Sequence, residues 1–244
     1  MKPPTPQLGE RVVILSGAGL SAASGVPTFR GAGGWWRGHD ATALATPEAF
    51  AHDPELVLDF YAHRRRAMQD IRPNPAHHAL VRLQAAWGPE RVTLVTQNVD
   101  GLLQAAAAEQ GVAAEIIEMH GTLWAVRCAG DPTHGRPRVT PDAPDPRGDC
   151  AECGDRLRPD VVWFGEMPRR MAEIGAALSD CRHFLAVGTS GVVYPAAGFV
   201  AVARQAGAAC TEVNPEPTGG DFQTVLAGGA EQALPALVEE WLTA

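Results

Sequence analysis

Short apolar, β-prone runs recur along the chain at residues 12–15, 92–95, 115–119, 184–187 and 208–213, and most of the intervals between them carry helix-like spacing. Strands that alternate with helices predict a parallel, doubly wound sheet. Each run ends in polar or glycine-rich residues: Ser16-Gly17, Thr96-Gln97-Asn98, His120-Gly121, Gly188-Thr189-Ser190 and Asn214-Pro215. In such sheets ligands collect at the carboxyl ends of the strands, so these clusters are where chemistry is expected.

Two stretches break the alternation. Residues 31–76 read as helical, and their clearest helix starts at Asp53-Pro54-Glu55, where Asp53 can cap and Pro54 suits the first turn. Residues 126–159 enclose a segment rich in Pro, Gly and Asp, 131–149, with too few apolar residues for a core, so something other than packing must hold it. The expected architecture is α/β. A Rossmann-like doubly wound parallel sheet (10–30, 77–125 and 160–244) carries a smaller inserted domain (31–76 and 126–159), part helical and part irregular.

Composition narrows the function classes. At 244 residues the chain is long enough for one large domain with an insertion. A net charge of -8, with Arg64-Arg65-Arg66 as the one basic run, argues against binding nucleic acid by phosphate neutralisation. The first seven residues lack the apolar core of an export signal, and the apolar stretch 184–203 is interrupted by Gly188, Thr189, Ser190, Gly191, Tyr194 and Pro195, so neither secretion nor a membrane span is expected. Five unevenly spaced cysteines suit a reducing compartment, with metal ligands or buried thiols rather than a disulfide framework. The expectation is a cytoplasmic monomer. Cys181 and Cys210, beside or within apolar strands, read as buried thiols.

The richest segment begins at the end of the first strand: Gly17-Ala18-Gly19-Leu20-Ser21-Ala22, continuing to Ser24-Gly25-Val26-Pro27-Thr28-Phe29-Arg30. Small residues let backbone N–H groups approach a pyrophosphate, and a following helix N-terminus adds positive potential. The glycine pattern alone also fits a dehydrogenase. That fold, however, needs a second strand with an acidic ribose ligand about 20 residues on, whereas here the chain enters Trp35-Trp36-Arg37 and the helical insertion.

Other clusters admit two readings each. Gln97, Asn98 and Asp100 offer two amides and a carboxylate suited to a ribose and a carboxamide, yet Asn and Asp before a helix are also ordinary caps. His120 has an imidazole suited to proton transfer near neutrality, or a structural role. Cys150-Ala151-Glu152-Cys153 has zinc-knuckle spacing, and Cys128 lies upstream; Asp131, or His134 in its place, is the candidate for a fourth ligand, against a loop without metal. In the helix from Pro54, the residues Val57, Phe60, Tyr61, Arg64 and Met68 share one face, with Arg65 and Arg66 pointing elsewhere. A guanidinium on that face needs an anion: an internal Asp or Glu, solvent, or a carboxylate brought by a substrate.

The long glycine segment, Thr96-Gln97-Asn98-Val99-Asp100-Gly101, Met119-His120-Gly121-Thr122 and Val161-Val162-Trp163-Phe164-Gly165-Glu166 resemble the sirtuins, NAD-dependent protein-lysine deacylases, in the family's order along nearly the whole chain. The resemblance implies a single catalytic domain. It implies NAD contacts at Gly17, Ala18, Gly19, Ser21, Ala22, Thr28, Phe29, Arg30, Gln97, Asn98, Asp100, Gly188, Thr189, Ser190, Asn214, Pro215 and Ala230, with Ala230 closing over adenine. His120 becomes the general base that activates a ribose hydroxyl, with Asn98 and Asp100 beside it. Val162, Trp163, Phe164, Gly165 and Glu166 become the segment that pairs with an acylated-lysine protein substrate in extended form. A structural zinc is implied at Cys128, Asp131, Cys150 and Cys153, although the cysteine expected three residues after Cys128 is Asp131. Phe60-Tyr61-Ala62-His63-Arg64-Arg65 is similar to the tyrosine–arginine helix of class III sirtuins, which remove succinyl, malonyl or glutaryl groups; Thr28 matches that group, as does the stretch containing Ala49, where a small residue widens the acyl pocket. The implied products are free lysine, nicotinamide and O-acyl-ADP-ribose. Rival functions on the same site are a plain deacetylase, a mono-ADP-ribosyltransferase and a non-enzymatic NAD sensor.

Overall fold

The computed structural model of the chain describes residues 2–27 and 35–244. Strand β1 (Val12–Ser16) leads into two 3-10 turns, Ala18–Leu20 and Ala22–Ser24, where the phosphate-loop reading predicts an α-helix. The reason is a competing bond. Asn74 Nδ2 donates to the Leu20 carbonyl at 2.8 Å, the acceptor that an α-helix would offer to the fourth residue on.

A short hairpin, β2 (Trp35–Trp36) and β3 (His39–Asp40), precedes four helices: α1 (Ala41–Leu44), α2 (Pro47–His52), α3 (Pro54–Ala67) and α4 (Pro75–Trp87). The last three share one starting device. A capping side chain, Thr46, Asp53 or Asn74, accepts from an N–H of the first turn, and proline follows it, which joins a satisfied donor to a preset φ. The chain continues through β4 (Val92–Thr96), α5 (Leu102–Gln110), β5 (Ile116–Glu118), β6 (Gly121–Cys128), β7 (Leu157–Val161), α6 (Met171–Asp180), β8 (His183–Val187), α7 (Phe199–Gln205), β9 (Ala209–Asn214), β10 (Thr224–Ala227) and α8 (Ala230–Thr243).

The main sheet has the order β10-β9-β8-β1-β4-β5, with every pairing parallel. It is a Rossmann-like α/β arrangement, doubly wound about β1. Alternation along each strand fills two cores: Val12, Ile14, Leu94 and Val187 pack with α4, α5 and α8 on one face, and Val13, Leu15, Phe184 and Ala186 with α6 and α7 on the other. The chain leaves β1 toward β4 and later returns to its other side at β8. That reversal opens a crevice at the carboxyl ends of β1 and β8. Among the described residues no helix is long and apolar enough to cross a membrane.

Strands β6 and β7 pair antiparallel, and β6 crosses the expected boundary at residue 126. A third apolar cluster, with Val57, Phe60, Tyr61, Leu123 and Trp163, lies between this pair and α3. Arg65 corrects the helical-face reading. It is 1% exposed, and its Nε donates to Leu123 O at 2.6 Å and its Nη1 to Pro144 O at 3.3 Å. Helix α3 is packed on two sides, so a single apolar stripe does not describe it. On its outer side Arg147 pairs with Glu55 and Asp59, and Arg156 with Glu55 at 2.5 Å, tying the irregular segment to the helix.

Candidate active site

A cleft of about 700 Å³ opens at the carboxyl ends of β1, β4, β8 and β9. Its floor is the meeting of two backbone turns: Gly17 N–H donates to Val187 O at 2.9 Å, and Gly19 N–H to Gly188 O at 2.8 Å. A Cβ on Gly19 would lie 2.5 Å from Gly188 Cα, and one on Gly188, at φ +57°, would lie 2.5 Å from Leu20 N. Glycine is required on both turns for this approach. Thr189, Ser190 and Asn214 line the far end. There Glu212, 2% exposed and not singled out from sequence, accepts from Asn214 Nδ2 at 3.3 Å and from Thr218 N at 3.0 Å, holding the turn after β9.

Some expected contacts lie off this wall. Ala230 is 2% exposed at the start of α8 and packs into the hydrophobic core, while Ala22 and Pro215 are exposed. Ser21 lies beneath the wall rather than on it. Thr28, Phe29 and Arg30 fall outside the described residues.

Asn98 and Asp100 are set by a buried hydroxyl. Ser21 Oγ donates to Asp100 Oδ2 at 2.7 Å and accepts from Asn98 Nδ2 at 3.1 Å; His77 Nε2 stands 3.2 Å away. Burial pushes the His77 imidazole down to about 4, so it is neutral, and its Nδ1 accepts from Asn74 N at 3.2 Å. The proton therefore sits on Nε2 and points at Ser21, completing the hydroxyl's valences. Asn98 Nδ2 also donates to Gly17 O at 3.0 Å, so its carbonyl is what it can present to a ligand. Asp100 receives Leu102 N at 2.9 Å, which makes it a cap as well as a site residue, and burial holds its carboxyl above the ordinary range. His77 and Asn74 carry no motif of their own. They couple to Ser21 and Leu20 across more than fifty residues of sequence.

His120 Nδ1 lies 3.0 Å from Gln97 O. A carbonyl only accepts, so Nδ1 carries the proton and Nε2 keeps its lone pair toward the cleft. Burial lowers the imidazole below its ordinary 6.5. Burial thus favours the neutral imidazole. With His120 as the base, the acid limb of the kcat/KM profile is expected to be centred below 6.5; a limb centred above 6.5 in a pH–rate measurement would contradict that role.

The same cleft is lined, between α3 and the segment after β7, by Tyr61, Arg64, Ala45 and Trp163. Trp163 Nε1 donates to Tyr61 Oη at 2.9 Å, which leaves the phenol its own proton to donate. Both rings are almost fully buried. Arg64 Cζ lies 5.7 Å from the Phe60 ring centroid and 6.0 Å from that of Tyr61. Burial lowers its pKa, opposed by Tyr61 and Asp100. The small residue at the wall is Ala45, not Ala49, which packs into the third apolar cluster.

The extended segment is largely committed internally. Val162 N donates to His120 O at 2.8 Å, Trp163 N to Glu166 Oε2 at 2.8 Å, and Phe164 N to Ala45 O at 2.9 Å. Glu166 lines the cleft, but its carboxylate also takes Arg158 Nη1 at 2.6 Å and Arg127 Nη2 at 3.3 Å. These arginines hold its pKa below the ordinary value against the effect of burial. Arg158 in turn sits 3.2 Å from the Trp163 ring centroid.

In the irregular segment, ligand atoms of Cys128, His134, Cys150 and Cys153 all lie within 4.8 Å of one another. Ligands around a tetrahedral zinc stand roughly 3.3–3.8 Å apart; Cys128 Sγ to Cys153 Sγ and Cys150 Sγ to His134 Nδ1 are each 3.5 Å. The donor set fits a structural zinc, and His134 replaces Asp131 as the fourth member. Asp131 Oδ1 is engaged instead by Thr133 N at 2.8 Å and Thr133 Oγ1 at 2.7 Å.

A doubly wound sheet with a glycine cradle, an amide–carboxylate pair and a neutral imidazole around one crevice defines a dinucleotide-type α/β protein. The sequence matches the Sir2 family over residues 17–195. An NAD-dependent protein deacylase of Vibrio vulnificus (strain YJ016) is 45% identical over 243 residues, covering 95% of this chain and 93% of that protein. Among solved structures, a Sir2 homolog–NAD complex superposes with a TM-score of 0.85 at 36% identity, covering 96% of this chain and 90% of that one. A Sir2–p53 peptide–NAD+ structure gives 0.77 at 25% identity, covering 96% and 94%. The chain belongs to the Sir2 family, the sirtuins.

Proposed function

We propose that this chain is an NAD-dependent protein-lysine deacylase whose preferred acyl groups are acidic: succinyl, malonyl or glutaryl, with some deacetylation. The observation that carries the acyl preference is the placement of Tyr61 and Arg64 on the cleft wall with Ala45, in the same cleft as His120. A carboxylate reaching that wall meets a guanidinium and a phenol whose oxygen already accepts from Trp163, so both donate to it.

The Gly17–Gly19 turn would hold the phosphates of NAD, and Asn214 would hold its far ribose. When bound, NAD supplies an activated ribose carbon and a leaving nicotinamide. Asn98 offers its carbonyl to a ribose hydroxyl, and Asp100 accepts from the carboxamide. His120 Nε2 takes the proton of a ribose hydroxyl once the acyl oxygen has been captured. The modified lysine arrives on an extended peptide beside residues 162–165. Because the N–H groups of Val162, Trp163 and Phe164 are occupied, the incoming strand meets this segment through its carbonyl oxygens. Zinc, when bound, supplies a rigid cross-link in the irregular segment and takes no part in the reaction. The five free cysteines match a reducing, cytoplasmic setting.

A plain deacetylase is the second reading, favoured by the electrostatic support that Asp100 gives Arg64. One lysine peptide carrying either acetyl or succinyl, assayed with NAD, separates the two. A higher kcat/KM for succinyl is the expected result; a higher value for acetyl refutes the acidic preference while leaving the deacylase intact.

A further inference from the structure

We propose that His134 closes the metal site through Nδ1, with Asp131 as a positioning carboxylate on Nε2, so that the zinc is held by three cysteines and one oriented histidine. The tetrad is set by the chain's own spacing: Cys128, His134 six residues on, and the Cys150–Cys153 pair. Three contacts decide the orientation. His134 Nδ1 is the ring atom that faces the cysteines, 3.5 Å from Cys150 Sγ. His134 Nε2 faces Asp131 Oδ2 at 3.7 Å. Asp131 Oδ1 is fixed by Thr133, so the carboxylate is aimed before any metal arrives.

The same residue also touches the opposite side of the site, because Asp131 N–H lies 3.4 Å from Cys128 Sγ and donates to it. One short turn therefore supports two ligands: its amide stabilises a thiolate and its carboxylate fixes the tautomer of an imidazole. Both are known ways in which groups behind the ligands raise metal affinity. Charge agrees. Three thiolates, a neutral imidazole and a divalent ion leave one negative charge, and Asp131 adds a second without entering the coordination sphere. As a direct ligand through Oδ2, Asp131 would leave His134 Nε2 without this partner.

The test uses the full chain and reads the metal directly. The zinc content of the purified protein is expected at one per chain. Long-range proton–nitrogen NMR on histidine-labelled, zinc-loaded protein is expected to show Nδ1 of His134 metallated and Nε2 protonated. Metallation at Nε2, or at neither nitrogen, or a protein that takes up no zinc, overturns the proposal, and this arm needs no variant to fold. Asp131→Asn keeps an acceptor for Thr133 and removes the charge; competition with a chromophoric chelator is expected to show zinc held about ten- to a hundredfold more weakly. Unchanged affinity in that variant removes Asp131 from its positioning role. His134→Cys is expected to retain zinc while shifting the cobalt-substituted absorption to that of four thiolates, and an unshifted spectrum would show that His134 is no ligand.

Discussion

Replacing His120 by asparagine is expected to reduce release of free lysine by about 10²–10⁴-fold, the usual range for loss of a positioned general base, while exchange of labelled nicotinamide into NAD continues. Asparagine can still donate to Gln97 O, where Nδ1 donates now, so the local backbone keeps its partner. What disappears is the lone pair at Nε2. Nicotinamide departs before any ribose proton has to move, so the exchange reaction does not need that lone pair. Lysine release and exchange, measured on one preparation, test this directly. A variant that loses both to the same degree would mean that His120 shapes the nucleotide site instead of acting as a base, and one that keeps full turnover would remove it from the chemistry.

Arg64→Met is expected to lower kcat/KM for a succinyl-lysine peptide by about 30-fold to a few thousandfold, since removing one partner of a buried charge pair costs about 2–5 kcal/mol and each 1.4 kcal/mol is a factor of about ten. Methionine matches the length of the stem and fills the space beside Phe60 and Tyr61. Acetyl-lysine turnover should hold steady, because an acetyl group brings no carboxylate to be left stranded. The ratio of the two substrates is therefore the informative quantity. If both substrates fall together, Arg64 is an internal charge supported by Asp100, and the acyl preference lies elsewhere; if neither falls, the guanidinium is not read at all.

Much of the fold was legible because the strand runs end abruptly in polar or glycine residues, and Asp53-Pro54 marks the start of α3 without ambiguity. The edge strand β10 was not legible: Thr224–Ala227 is four residues long, and outward-facing Val225 is 38% exposed, so its pattern is that of a loop. Arg65 was misjudged for a different reason. A helical wheel assigns one inward face, whereas α3 packs the cleft on the Arg64 side and Leu123 on the Arg65 side. The choice of His134 over Asp131, and of Ala45 over Ala49, depended on how a loop and a helix turn in space, which spacing does not encode. The glycine, amide and imidazole clusters were readable because they sit at strand ends. Their supports, Asn74 and His77, are ordinary residues at the start of another helix, and only the folded chain brings them to Ser21.

In the proposed function Trp163 serves two recognition surfaces at once. Its backbone N–H is tied to Glu166 and its indole to Tyr61; on that reading the first would set the track beside which a peptide lies and the second the end wall for the acyl group. Selection acting on one surface is therefore felt on the other. A lineage cannot drift toward a new acyl group at this position while its grip on the protein partner stays as it was, so diversification is expected to reach Trp163 last.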